Sequence, residues 1–230
     1  MFKKRNDGRG FADLRKMEAK VGVVKRADGS AMFKIGNTIA IAAVYGPRTL
    51  YRRSIQEPDT AILRCNYNMM AFSGSGERVR PGPSRRSKEI SLVIRKALSP
   101  VLDLSEYPGA VVDVFVELVQ TDSGTRCAGI CAAALALADA GFKMKDLVSS
   151  IAVGRIDDKV VVDLNKEEED YEKGMADMPI AMMPRTQEIT LLQMDGFATK
   201  QEIKKMIEAA KKACEEIYKV QKQALKEKYK

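Results

Sequence analysis

The chain has 230 residues and no histidine, which excludes Ser-His-Asp and Cys-His sites, histidine-ligated zinc and histidine general bases together. Hydrophobic residues make up 45% and charged residues 30%, a balance that excludes disorder and suits one well-filled core. Lys and Arg number 39 against 31 Asp and Glu, and the resulting net charge of +8 favours an anionic partner.

The four cysteines, Cys65, Cys127, Cys131 and Cys214, form no CxxC and no disulfide or zinc framework. Cys127 and Cys131 sit among alanines and read as small core residues. The start turns polar after Met1-Phe2, and the apolar run from Cys127 to Ala138 is too short to cross a bilayer. The expectation is a cytoplasmic protein with no membrane partner.

In chain order, Ala19 to Val24 and Ala31 to Ile35 read as strands around an Asp28-Gly29-Ser30 turn. Thr38 to Tyr45 is a buried strand, and Ile62 to Phe72 is another. Residues 73–84 form a Gly/Pro loop without apolar periodicity. A helix follows from Ser84, with Ile90, Val93, Ile94, Ala97 and Leu98 on one face. From Val111 to Val119, Val112, Val114, Val116 and Leu118 face one way and Asp113 and Glu117 the other. The polar turn 121–125 then opens into an alanine-rich central helix, Arg126 to Ala140, ended by Gly141. Val148 to Val153 and Lys159 to Leu164 are strands, 165–177 is acidic and loop-like, and Met178 to Met183 and Glu188 to Met194 are further strands. Thr199-x-x-Glu202 is a capping box that starts a long last helix. This order predicts a single α+β domain over residues 1–230, with mixed β-sheets and helices.

Two of the helix starts carry the wrong charge. Helix N-termini favour anions, yet Arg85 and Arg86 follow Ser84 and Arg126 follows Gly124-Thr125, at a cost of about 0.3–1 kcal/mol each without a ligand. A bound phosphate reverses that sign, because arginine forks, backbone N–H groups and the helix dipole then converge on one charge. The competing reading pairs these arginines with Glu89 or Asp122. Downstream, Asp163, Glu167, Glu168, Glu169, Asp170, Glu172 and Asp177 supply carboxylates for a general acid or Mg²⁺. Between residues 48 and 86 the chain carries Arg48, Arg52, Arg53, Arg64, Arg78, Arg80, Arg85 and Arg86, suited to phosphodiesters. Tyr45, Tyr51, Tyr67 and Phe72 lie among them and could stack on bases, although strand packing is the expectation for Tyr67 and Phe72. Inorganic phosphate is already ionised at neutral pH, so a reaction that uses it as nucleophile needs no histidine.

Four motifs in order, Asn6-Asp7-Gly8-Arg9, Pro83-Ser84-Arg85-Arg86, Gln120-x-x-x-Gly124-Thr125-Arg126, and Glu169-Asp170 followed by Ala176-Asp177-Met178-Pro179, resemble the RNase PH family of phosphorolytic 3′→5′ exoribonucleases. Within that family, Leu135 to Gly141 and Ala176 to Pro184 look most like the catalytic RNase PH-type subunits of archaeal exosomes. The resemblance implies the ribosomal-protein-S5 domain 2-type fold. It implies that Gly124, Thr125 and Arg126 bind phosphate, that Arg85 and Arg86 contact the RNA 3′ end, and that Arg52 and Arg53 grip single-stranded RNA. Asp170 and Asp177 become the catalytic carboxylates and holders of Mg²⁺. The run Glu167 to Asp170 is slightly longer than the family spacing, which leaves Glu169 as the alternative to Asp170. The implied assembly is a hexameric ring with a related non-catalytic subunit and RNA-binding cap proteins. The alternatives are a homohexamer that trims tRNA 3′ ends and a non-catalytic RNA-binding ring subunit.

Overall fold

Two hydrophobic strand patterns build two sheets, and one alanine-rich helix lies between them. The computed structural model describes residues 4–51, 53–76, 78–80, 82–171 and 175–230. Arg52 and the side chain of Arg53, both expected RNA contacts, lie outside the described residues.

In the first sheet, β1 (Met17–Val21), β2 (Gly29–Ile35) and β3 (Thr38–Thr49) form an antiparallel meander. Between β4 (Ile62–Met69) and β5 (Ala110–Gln120) runs helix α1 (Arg85–Leu98). β5 pairs antiparallel with β3, and β4 pairs parallel with β5, so the order is β1-β2-β3-β5-β4. The crossover through α1 is what makes that one parallel pair reachable. Val112, Val114, Val116 and Leu118 are all buried, as their alternation requires.

Helix α2 (Thr125–Asp139) comes next, followed by β6 (Ser149–Ile156) and β7 (Lys159–Val162). Then come helix α3 (Lys166–Glu169), β8 (Met175–Met183), β9 (Glu188–Leu192), β10 (Asp195–Gly196) and helix α4 (Lys200–Lys228). β8 is central in the second sheet, antiparallel to β6 on one side and to β9 and β10 on the other. α2 packs on β2, β3 and β5 and also on β6 and β8, so both sheets close over it. Its alanines allow that approach: a Cβ at Gly29 would lie 2.3 Å from the Ala136 carbonyl oxygen. α4 covers β6 and β7 through Met206, Ala210, Cys214 and Ile217. One hydrophobic cluster runs through both sheets and α1, α2 and α4. Each buried large aliphatic side chain in it contributes roughly 1.5–3 kcal/mol.

Three expectations need correction. The segment 165–177 is not all loop: Asn165 caps α3, accepting from Glu168 N at 2.9 Å, and the Glu168 carboxylate accepts from Asn165 N at 3.0 Å. β8 also begins at Met175, before the expected Met178. Finally, β4 stops at Met69 and the chain turns at Met70–Ser73, which leaves Phe72 73% exposed rather than packed in a strand. Tyr67 is buried as expected.

Candidate active site

A cavity of about 390 Å³ opens between the first turns of α1 and α2, the loop at 74–79, α3 and the start of β8. Its walls bring together Arg86, Gly124, Thr125, Arg126, Lys166, Glu169 and Asp177. Residues far apart in the chain meet here because α2 begins where the two sheets converge.

At the α2 start, Gly124 occupies the left-handed region (φ 63°) and no side chain caps the helix. The first-turn N–H groups therefore lack intrahelical partners and face the cavity with the positive end of the dipole. A Cβ at Gly124 would carry the left-handed penalty of about 1–2 kcal/mol. Arg126 is half-buried; its Nη1 donates to Gln193 Oε1 at 2.6 Å and lies 3.7 Å from Glu89. The anticipated Glu89 pairing thus exists, but at salt-bridge range only. The α1 start differs. Ser84 and Ser87 form a reciprocal capping box, so side chains already satisfy donors there. Arg86 lines the cavity whereas Arg85 does not. Both are exposed, and neither forms an ion pair among the described residues.

Asp177 lies on β8 opposite Gly154 of β6 and Asp195 of β10. Its Oδ1 is buried and has no hydrogen-bond partner among the described residues. Burial, followed by the charges of Glu169 and Asp195, pushes its carboxyl up to about 7 against the pull of Arg126 and the Met178 N–H. Cys127 also lines the cavity, but burial pushes its thiol up to about 12, which removes it as a nucleophile at neutral pH.

The carboxylate facing Asp177 is Glu169. Asp170, the expected partner, is one residue further around the helical turn and points outward: its side chain is 60% exposed and pairs with Lys166 at 2.5 Å. It does not line the cavity. The capping box Asn165-x-x-Glu168 sets the register of α3, which puts Glu169 on the cavity wall and Asp170 outside it. Two further groups escaped the sequence reading. Arg5, 1% exposed, donates bidentately to Glu168 at 2.8 and 2.8 Å. Arg15 donates bidentately to Asp163. Buried arginines of this kind are visible only once the N-terminal strap is seen to cross the end of β7.

Among the described residues no group of three Asp, Glu or Cys side chains could hold a metal ion. Glu169 and Asp177 fit one held by two carboxylates and completed by phosphate oxygens and water, and the unpartnered Asp177 Oδ1 is the free ligand such a site needs.

The descriptions "3′ exoribonuclease family, domain 1" and "3′ exoribonuclease family, domain 2" match residues 13–143 and 146–213. The chain belongs to the RNase PH family of 3′ exoribonucleases. This RNase PH chain is 54% identical over 226 residues to "Exosome complex component Rrp41" of Thermococcus gammatolerans, covering 98% of the chain and 90% of that protein. It is 46% identical over 226 residues to the protein of the same name from Nitrosopumilus maritimus, covering 98% and 91%. The crystal structure of rice (Oryza sativa) Rrp46 superimposes with a TM-score of 0.86 at 25% identity, over 96% of this chain and 100% of that one. The RNase PH fold is therefore the mixed α+β architecture that the sequence reading anticipated. No described helix of this RNase PH protein is long and apolar enough to cross a membrane.

Proposed function

We propose that this chain is the phosphorolytic 3′→5′ exoribonuclease subunit of an archaeal exosome ring. One observation carries the reading: the uncapped, arginine-bearing start of α2 faces a protonatable, half-buried Asp177 across a single cavity.

Inorganic phosphate sits at Gly124, Thr125 and Arg126, held by first-turn N–H groups, the Thr125 hydroxyl and the Arg126 guanidinium. Arg86 neutralises the phosphate next to the scissile bond at the RNA 3′ end. A phosphate oxygen attacks that phosphorus, the bond to the upstream O3′ breaks, and Asp177 gives its proton to the departing O3′. The products are RNA shorter by one nucleotide and a nucleoside 5′-diphosphate. Phosphate, not water, accepts the nucleotide, so the enzyme is a transferase rather than a hydrolase. Glu169 and, once it has given up its proton, Asp177 would hold Mg²⁺, which when bound would supply charge neutralisation. Exposed Phe72 stands beside the loop that roofs the cavity and suits base stacking without base preference. We place this subunit in the cytoplasm, in a ring with related subunits and RNA-binding caps; similarity to exosome complex components supports assembly into a complex.

The test uses the chain co-purified with the subunits that it binds. A 5′-labelled single-stranded RNA with Mg²⁺ should shorten only when inorganic phosphate is added and release nucleoside diphosphates. Shortening without phosphate, with monophosphates as product, would refute phosphorolysis.

A further inference from the structure

The two walls of the cavity come from opposite halves of the chain, yet a single buried side chain joins them. Arg15, 8% exposed, donates through Nε and Nη2 to Asp163 at 2.9 and 2.7 Å, and its own N–H donates to the same carboxylate at 2.8 Å. Asp163 is the first residue after β7, on the way to α3, held at φ 56°. The remaining Nη1 donates to the Asp122 carbonyl at 2.5 Å, two residues before Gly124. The Arg15 guanidinium also lies directly behind Gly124, where an added Cβ would come within 3.5 Å of Nη2. A second link runs the other way: the Lys166 N–H, at the start of α3, donates to Asp122 Oδ1 at 3.2 Å. Meanwhile α3 has its own anchor in the Arg5–Glu168 pair. Loss of Arg15 should therefore leave α3 tied to the phosphate turn through the exposed Lys166–Asp122 link, without unravelling α3.

We infer that Arg15 is a positioning residue, whose planar fork sets the distance between the Gly124–Arg126 turn and the Glu169-bearing helix. This rests on the phosphorolytic reading above. Lysine keeps the charge but cannot serve a bidentate carboxylate and a carbonyl at once. The decisive variants are Arg15→Lys and Asp163→Asn, assayed in the assembled complex with RNA and inorganic phosphate. Both should raise the KM for phosphate about tenfold, by analogy with the rate loss from a displaced site wall, while RNA affinity measured without phosphate stays unchanged. A second readout separates positioning from loss of stability: kcat at saturating phosphate should fall far less than kcat/KM, whereas a loss of folded enzyme lowers kcat and leaves KM unchanged.

Assembled variants with an unchanged phosphate KM would overturn the inference while leaving the reaction standing. If both variants fail to assemble, Arg15 serves folding alone and the inference is also overturned. A wild-type complex that releases nothing in response to phosphate would sink the phosphorolytic reading and this inference with it.

Discussion

Asp177 shows at the scale of one residue how a site can be unfavourable for folding and useful for chemistry. Its carboxyl ordinarily titrates near 3.8, and here near 7. Below pH 3.8 the folded and unfolded chains are both protonated and nothing is lost. Between these values the unfolded chain sheds the proton first, so stability falls as pH rises, by roughly 4 kcal/mol in all once pH passes 7. The acid is protonated over that same range, so the proton donor is present at neutral pH and fades above it. Asp177→Asn should therefore raise Tm at pH 8 and leave it nearly unchanged at pH 3.5, while phosphate-dependent release falls by about 10²–10⁴-fold. Calorimetry at the two pH values checks the first half, and an equal gain at both would mean that Asp177 is not the strained group. Its partner can be tested in the same assay. Glu169→Gln should slow release at least tenfold, the lower end of what loss of a cavity charge produces. Asp170→Asn should change it less than twofold, because among the described residues that exposed carboxylate pairs with Lys166. A large loss in Asp170→Asn would restore Asp170 to the catalytic role that the resemblance implies.

The two arginine-bearing starts look alike as sequence, but as elements they differ. Ser84 and Ser87 cap α1, whereas α2 has only Gly124 and leaves its donors open. The helix pattern, strand alternation and the Thr199/Glu202 box were all legible, because each rests on neighbours within a few residues. The orientation of α3 was legible too, through Asn165 and Glu168, but the acidic run obscured the cap. Arg5 and Arg15 were not legible, since what holds them lies about 150 residues away. Two substitutions separate a cap that stabilises from a start that binds. Thr199→Ala should lower stability by about 1 kcal/mol without altering the KM for phosphate. Gly124→Ala should lower it by about 1–2 kcal/mol and raise that KM as well, because the left-handed backbone no longer presents its N–H groups. Thermal unfolding and phosphate titrations on the same preparations decide it. Equal KM values in the two variants would mean that the α2 start does not bind phosphate.

For the whole molecule, the surplus of positive charge matters by where it is placed. The acidic run 163–170 is largely consumed internally: Asp163 by Arg9 and Arg15, Glu168 by Arg5, and Asp170 by Lys166. Arg85 and Arg86, by contrast, are exposed at the start of α1 without ion pairs among the described residues. A net charge of +8 then acts outward, on a polyanion, rather than as fold-stabilising pairs. Single-stranded RNA binding by the assembled complex, measured by fluorescence anisotropy without phosphate, should weaken linearly in log–log terms as salt rises. Each phosphate contact contributes about −0.7 to that slope. Arg85→Ala should make the slope shallower by about 0.7 and weaken poly(A) and poly(U) alike, since a backbone contact reads no base. An unchanged slope would place Arg85 away from the RNA path and leave Arg86 as the α1 contact; a loss confined to one homopolymer would mean that this end of α1 reads bases. Uniform weakening is what the proposed reaction requires, because stepwise shortening must hold successive nucleotides of any sequence with the same grip.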